Sequence, residues 1–147
     1  MAIITPTASR SAGLIPVVAV TITTVAVAMI IVSALTSTAR GEQPATASEA
    51  AIIALVIGAV SLTTLLTVPR WALAGSDRRA HAVIWTALAI GAAVSPFLFW
   101  TFAPAIAGGV ALTVGWTRRE RSRGYLVAAV IGAALIVLDV VGYVASM

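Results

Sequence analysis

Residues 82–116 read AVIWTALAIGAAVSPFLFWTFAPAIAGGVALTVGW, and the fold of the whole chain depends on how this apolar stretch is arranged. At a rise of about 1.5 Å per residue, one straight helix of this length would extend for about 50 Å, whereas the hydrocarbon core of a bilayer is about 30 Å thick. Two prolines, Pro96 and Pro104, interrupt the stretch at points where a helix can end. The length and the prolines therefore predict a helical hairpin at residues 82–117, with one helix at 82–97 and another at 103–117.

Arginines flank this stretch on both sides. They are Arg70, Arg78 and Arg79 before it and Arg118, Arg119, Arg121 and Arg123 after it. Short basic loops prefer the cytoplasmic side of a membrane, so both flanks are expected there, with an even number of crossings between them. An alternative treats the stretch as one crossing with a kinked extension, which would place the two arginine groups on opposite sides.

The composition is that of a membrane protein with several transmembrane helices. Of the 147 residues, 61% are hydrophobic and 10% are charged, which is far more apolar than a soluble domain. Although the net charge is +4, the arginines lie in short loops or near helix ends, so they indicate topology and not nucleic-acid binding. Lysine and asparagine are absent while alanine and arginine are common. Such a bias is expected of a GC-rich genome and indicates a bacterial source.

The same composition excludes several kinds of chemistry. Without cysteine the chain has no thiol catalysis and no cysteine metal site, and its single histidine, His81, cannot form a site of several imidazoles within one chain. No nucleophile with a neighbouring base, no carboxylate pair and no glycine-rich phosphate loop is present. We therefore predict no enzymatic activity, no metal and no cofactor. His81 itself is expected to be a solvated residue at the membrane interface.

Three further apolar runs, at residues 13–35, 49–69 and 124–145, are predicted to be transmembrane helices. The first is longer than the apolar core of a signal peptide, which has about 7–15 residues, so a retained helix is preferred over a cleaved signal peptide. Together with the hairpin, these runs predict an all-α fold: a polytopic transmembrane helical bundle forming one domain over residues 1–147.

The hairpin gives this bundle five crossings, and the alternative gives four. With five crossings in a bacterial inner membrane, the N-terminus is cytoplasmic and the C-terminus lies outside. Eight of the nine arginines are then cytoplasmic, and only Arg40 lies outside.

Three of the predicted helices carry small residues at every fourth position. The series are Ala50, Ala54 and Gly58; Ala87, Gly91 and Ser95; and Gly124, Ala128 and Gly132. Spacing four places small residues on one helix face, where a neighbouring helix can approach closely, and helices associate in lipid by such contacts. Alanine-rich helices also produce these spacings by chance, but each series here runs through an Ile-Gly-Ala tripeptide. We expect these nine residues to be helix-packing positions.

The second half of the chain resembles a known family. Its segments ALAIGA (residues 87–92), PAIAGGVAL (104–112) and GYLVAAVIGA (124–133), with an arginine cluster between the last two, look like the small bacterial membrane domains called domain of unknown function 4190. The resemblance covers residues 82–144. Trp100, the Phe-rich turn and the two preceding helices depart from the family's pattern. The resemblance supports the helical hairpin and implies no activity.

Asp139 is the only ionisable residue well inside a predicted helix. A carboxylate inside a membrane is costly and is often functional. It lies seven residues after Gly132, on nearly the same helix face, so we expect it to point into a helix interface. Asp139 has three interpretations: a structural or interfacial role, a contact with a partner, or the handling of ions or protons.

The sequence has many small residues suited to helix packing and few residues suited to catalysis. It therefore predicts a small accessory subunit, or an assembly or interaction protein, of a larger membrane complex. Its partners would be membrane lipids and other membrane protein subunits, and not nucleic acid. The alternative is a small oligomeric transporter or channel that uses Asp139 and the membrane threonines.

Overall fold

The structure is a computed structural model that describes residues 7–39, 46–98 and 101–146. Five helices follow one another within these ranges: α1 (Thr7–Ala39), α2 (Ala47–Ala74), α3 (Asp77–Leu98), α4 (Ala103–Thr117) and α5 (Arg123–Ser146). The predicted all-α fold is confirmed. Three segments, Gly13–Thr36 within α1 and the whole of α2 and α5, are long and apolar enough to cross a membrane, and α4 is a shorter apolar helix. Arg40 and Trp100, which entered the predictions above, lie outside the described residues.

The short helix α4 lies at the centre of the bundle and contacts each of the other four helices. It is buried on nearly all sides, and small residues predominate among its buried positions: Ala105, Ala107, Gly108, Gly109, Val110, Ala111, Thr113, Val114 and Gly115. A helix that is apolar all round is typical of such a core position. α1 and α2 pack as a pair and contact α4, whereas α3 and α5 flank α4 and also contact each other.

Within the predicted hairpin, α3 and α4 pack against each other, but α2 and α3 are both longer than predicted on either side of their connection. α2 continues past residue 69 to Ala74, and α3 begins at Asp77 and not at residue 82. The connection between them is only Gly75 and Ser76. Pro69 is buried inside α2 and does not end the helix, although its ring removes one backbone hydrogen bond. Asp77 in the first turn suits the positive end of α3.

α4 and α5 approach each other very closely at Gly108 and Gly132. A Cβ atom added to Gly108 would lie 2.5 Å from the carbonyl oxygen of Gly132, and one added to Gly132 would lie 2.5 Å from the carbonyl oxygen of Gly108. The two backbones therefore touch, with no room for a side chain between them. Close approach of this kind allows extensive van der Waals contact between helices in lipid.

Replacing Gly132 with alanine is expected to destabilise the bundle by about 1–3 kcal/mol, the usual cost of overfilling a packed core. The added methyl group would meet backbone atoms of Gly108 and Leu112, which cannot rotate away. The measurement is the thermal unfolding midpoint of the purified protein in detergent micelles. Gly142 lies on the same helix with nothing within 4 Å of an added Cβ, so Gly142→Ala is the matched control. Equal midpoints for the two variants would contradict the close contact.

Candidate functional site

The first turn of α4 is buried, and its backbone N–H groups need partners within the protein. The Ala103 N–H donates to Thr101 Oγ1 at 3.4 Å, and Pro104 has no N–H to satisfy. The Ala105 N–H donates to Asp139 Oδ2 of α5 at 3.1 Å. Asp139 therefore caps α4 from a neighbouring helix, and a carboxylate suits the positive end of the α4 dipole.

Phe102, the residue that precedes α4, adds a second connection at this end of the bundle. Its φ angle is 57°, the only positive φ of a non-glycine residue in the described ranges. This left-handed conformation costs about 1–2 kcal/mol. The Phe102 ring is buried and packs 5.0 Å from the ring of Tyr143, whose hydroxyl donates to the Met29 carbonyl of α1 at 3.5 Å. The start of α4 is thus tied to both α5 and α1.

Asp139 is fully enclosed by protein, with 1% of its surface exposed. The structure places it in the α4–α5 interface, on the packed side of α5 with Gly132. Its second oxygen, Oδ1, makes no hydrogen bond to any residue that the structure describes. The contact with Ala105 gives the carboxylate a structural role, and the free oxygen leaves one acceptor available.

A second polar cluster, built around Arg118, lies at the opposite end of α4. The buried Arg118 guanidinium donates to the carbonyl oxygens of Leu73 and Gly75, both at 3.0 Å. It also forms an ion pair with Asp77, and Arg121 donates to the same carboxylate oxygen at 2.7 Å. Arg118 therefore binds the end of α2 and the start of α3 together, in addition to any effect on topology.

Tyr125 and His81 bind the same turn from α5 and α3. The Tyr125 hydroxyl donates to the Asp77 carbonyl oxygen at 3.3 Å. His81 Nδ1 lies 3.1 Å from that oxygen and must be the donor, because a carbonyl only accepts. The two rings are 4.3 Å apart. His81 is partly exposed, and its ring also packs against Tyr125.

The three small-residue series serve mainly contacts within the chain. Ala54, Gly58, Gly91, Ala128 and Gly132 are buried, whereas Ala50, Ala87, Ser95 and Gly124 are partly exposed. Added Cβ atoms would lie 3.1 Å from Val27 of α1 at Gly58, and 3.0 Å from Ala107 of α4 at Gly91. The series therefore mark α1–α2, α3–α4 and α4–α5 packing.

An apolar groove, here called the α1–α2 groove, remains open along the halves of α1 and α2 nearest the α1–α2 connection. Its volume is about 860 Å³, and its lining runs from Thr23 to Leu35 on α1 and from Thr46 to Leu62 on α2. Small residues make up half of this lining: Ala34, Ala47, Ala50, Ala51, Ala54, Gly58 and Ala59. Ala50 and Ala54 of the first series therefore border an uncovered surface.

A second apolar groove, here called the α2–α3 groove, lies between α2 and α3 with α4 as its floor. Its volume is about 590 Å³. On α2 its lining runs from Val60 to Trp71, and on α3 from Ala82 to Ile90. Thr64 and Thr86 are the polar side chains among the residues that line it.

No protein-family model, curated protein or solved structure matches this chain. The resemblance of residues 82–144 to domain of unknown function 4190 therefore stays a prediction. Among the described residues, no three histidine, aspartate or glutamate side chains converge on a common point where a metal could bind. The lack of enzymatic activity also stays a prediction.

Replacing Asp139 with leucine is expected to destabilise the protein by about 1–3 kcal/mol, because the buried Ala105 N–H loses its acceptor. Asp139→Asn keeps an oxygen at that position and is expected to retain most of the stability. The measurement is the loss of helical circular dichroism during titration with a denaturing detergent. Equal losses for the two variants would show that the negative charge, and not the cap, determines the effect.

Proposed function

We propose that this protein is a small accessory subunit, or an assembly or interaction protein, of a larger membrane complex. The observation that supports this proposal is the α1–α2 groove. Between transmembrane helices there is no hydrophobic driving force, so association depends on close packing, which small residues permit. A groove with small residues along half of its lining suits a transmembrane helix of a partner subunit.

The size of the groove agrees with such an occupant. From Thr46 to Leu62, α2 extends for about 24 Å, which corresponds to about four turns of a partner helix. Gly91, Gly108 and Gly132, on α3, α4 and α5, are covered by neighbouring helices of the same chain. In the α1–α2 groove, by contrast, Ala47, Ala51 and Ala59 are exposed to a partner helix.

The proposal includes five crossings of a bacterial inner membrane, with the N-terminus cytoplasmic and the C-terminus outside. Arg118 joins the α4–α5 connection to the α2–α3 turn at Asp77, so the two arginine groups lie at one end of the bundle. That arrangement agrees with a single cytoplasmic surface that carries both groups. α4 is short for a crossing, but it is surrounded by protein and does not have to match the bilayer thickness.

Single cysteines test the topology, because the chain has none of its own. Ser48, Ser76 and Ser122 are exposed, and each lies in or beside one of the connections between helices. In intact cells, a membrane-impermeant thiol reagent is expected to label Ser48→Cys and to label Ser76→Cys and Ser122→Cys only after permeabilisation. Labelling of the last two from opposite sides would support four crossings instead.

The function is tested by blocking the α1–α2 groove. Ala51 is exposed and lines the groove, whereas Ile53, two residues away on α2, is exposed outside it. Tagged protein is purified from its native membranes in mild detergent, sized, and analysed by mass spectrometry. Ala51→Trp is expected to abolish a stoichiometric larger complex that the wild type and Ile53→Trp both retain. Wild-type protein recovered alone, or a complex that Ala51→Trp leaves intact, would overturn the proposal.

One observation favours a second candidate, a small oligomeric transporter or channel. Asp139 Oδ1 is buried and makes no hydrogen bond within the described residues, so it could receive a cation or a proton. This candidate requires a flux in proteoliposomes that Asp139→Asn abolishes while the protein still inserts and assembles. A flux that is absent, or unaffected by this substitution, eliminates it.

A further inference from the structure

The α2–α3 groove lies between two helices that are joined by a short turn, and Trp71 and Ala82 line its end nearest that turn. α2 and α3 contact each other much less than either contacts α4. The space between them is therefore open to the side, with Ala103, Ile106 and Ala107 of α4 at its base. Its lining is almost entirely apolar, which suits a hydrocarbon chain.

The length of the groove corresponds to one leaflet of a bilayer. From Val60 to Trp71, α2 rises by about 16 Å. Half of a hydrocarbon core about 30 Å thick is about 15 Å. An acyl chain that fills one leaflet would therefore extend along the groove from the Trp71 end towards the middle of the membrane.

Positive charge without an internal partner lies at the Trp71 end. The Arg79 guanidinium lies over the Trp71 ring, 4.8 Å from its centroid. Within the described part of the chain, no carboxylate forms an ion pair with Arg79 or with the neighbouring Arg78. Asp77 is adjacent in sequence, but Arg118 and Arg121 already bind it. Arg79 therefore retains its charge and its N–H donors for a ligand at the mouth of the groove.

We propose that the α2–α3 groove is a binding site for one anionic phospholipid. One acyl chain lies in the groove, and the phosphate group is bound by Arg79 beside Trp71. A headgroup with net negative charge is required, because a zwitterionic headgroup brings its own cation to a site that is already positive. This site is separate from the α1–α2 groove, so the two proposals can fail independently.

The charge requirement is tested with delipidated full-length protein in detergent, titrated with dioleoyl phosphatidylglycerol or dioleoyl phosphatidylcholine, with bound lipids counted by native mass spectrometry. We expect one phosphatidylglycerol to be retained in preference to phosphatidylcholine. Arg79→Gln is expected to weaken this binding about fivefold, the effect of one basic side chain at an anionic lipid surface. Arg119 makes a similar contact with Trp116, at 4.6 Å, but neither residue lines the groove, so Arg119→Gln is the matched control.

The groove itself is tested by filling it. Thr86 is exposed and lines the groove, and Ala89 is exposed on the same helix outside it. Thr86→Phe is expected to abolish the selective binding, and Ala89→Phe to preserve it. Equal retention of the two lipids, equal effects of the two arginine substitutions, or equal effects of the two phenylalanines would overturn the proposal. So would a co-purifying protein that Thr86→Phe alone displaces, which would place a partner helix in the groove.

Discussion

The contact between Gly108 and Gly132 is the constraint on which the rest of the bundle depends. Because the two backbones touch, α4 and α5 form a compact pair, and the other helices can surround α4. Lipid supplies no hydrophobic force to hold helices together, so this area of close packing replaces the driving force that a soluble core would have. A larger side chain at either glycine would separate α5 from α4 and would also move Asp139 away from the backbone it caps.

Because α4 is buried, the unpaired backbone N–H and C=O groups at its two ends need hydrogen-bond partners. Away from water, a helix end must find its partners within the protein. At the start of α4, Asp139 supplies the acceptor that Ala105 needs. Beyond its other end, Arg118 extends to the carbonyl groups at the end of α2 and fixes the turn into α3. Two buried charged residues thus join α4 to its neighbours, and each has a structural reason to be where it is.

Much of the architecture was predictable because lengths and spacings have local causes. The stretch 82–116 is too long for one straight helix that only spans a bilayer, and the structure divides it between α3 and α4. The spacing of Gly91 and Gly132 within their series placed both on packed faces. The extension of α2 past Pro69 was not predictable, since proline usually ends or kinks a helix and nothing in the neighbouring sequence marks this one as an exception. The contact of Arg118 with Asp77 joins residues far apart in sequence, and no local pattern distinguishes Arg118 from the arginines beside it. The two grooves could not be predicted either, because they depend on how neighbouring helices diverge, and the sequence of a single helix does not determine that divergence.

The shortness of α4 has a consequence for biogenesis. Its 15 residues reach about 22 Å, less than the hydrocarbon thickness of about 30 Å, so α4 is a poor substrate for insertion by itself. Within the bundle, α4 is held by its contacts with α3, which precedes it in the chain, and with α5, which follows it. Until α5 has been synthesised, the glycine face of α4 has no cover.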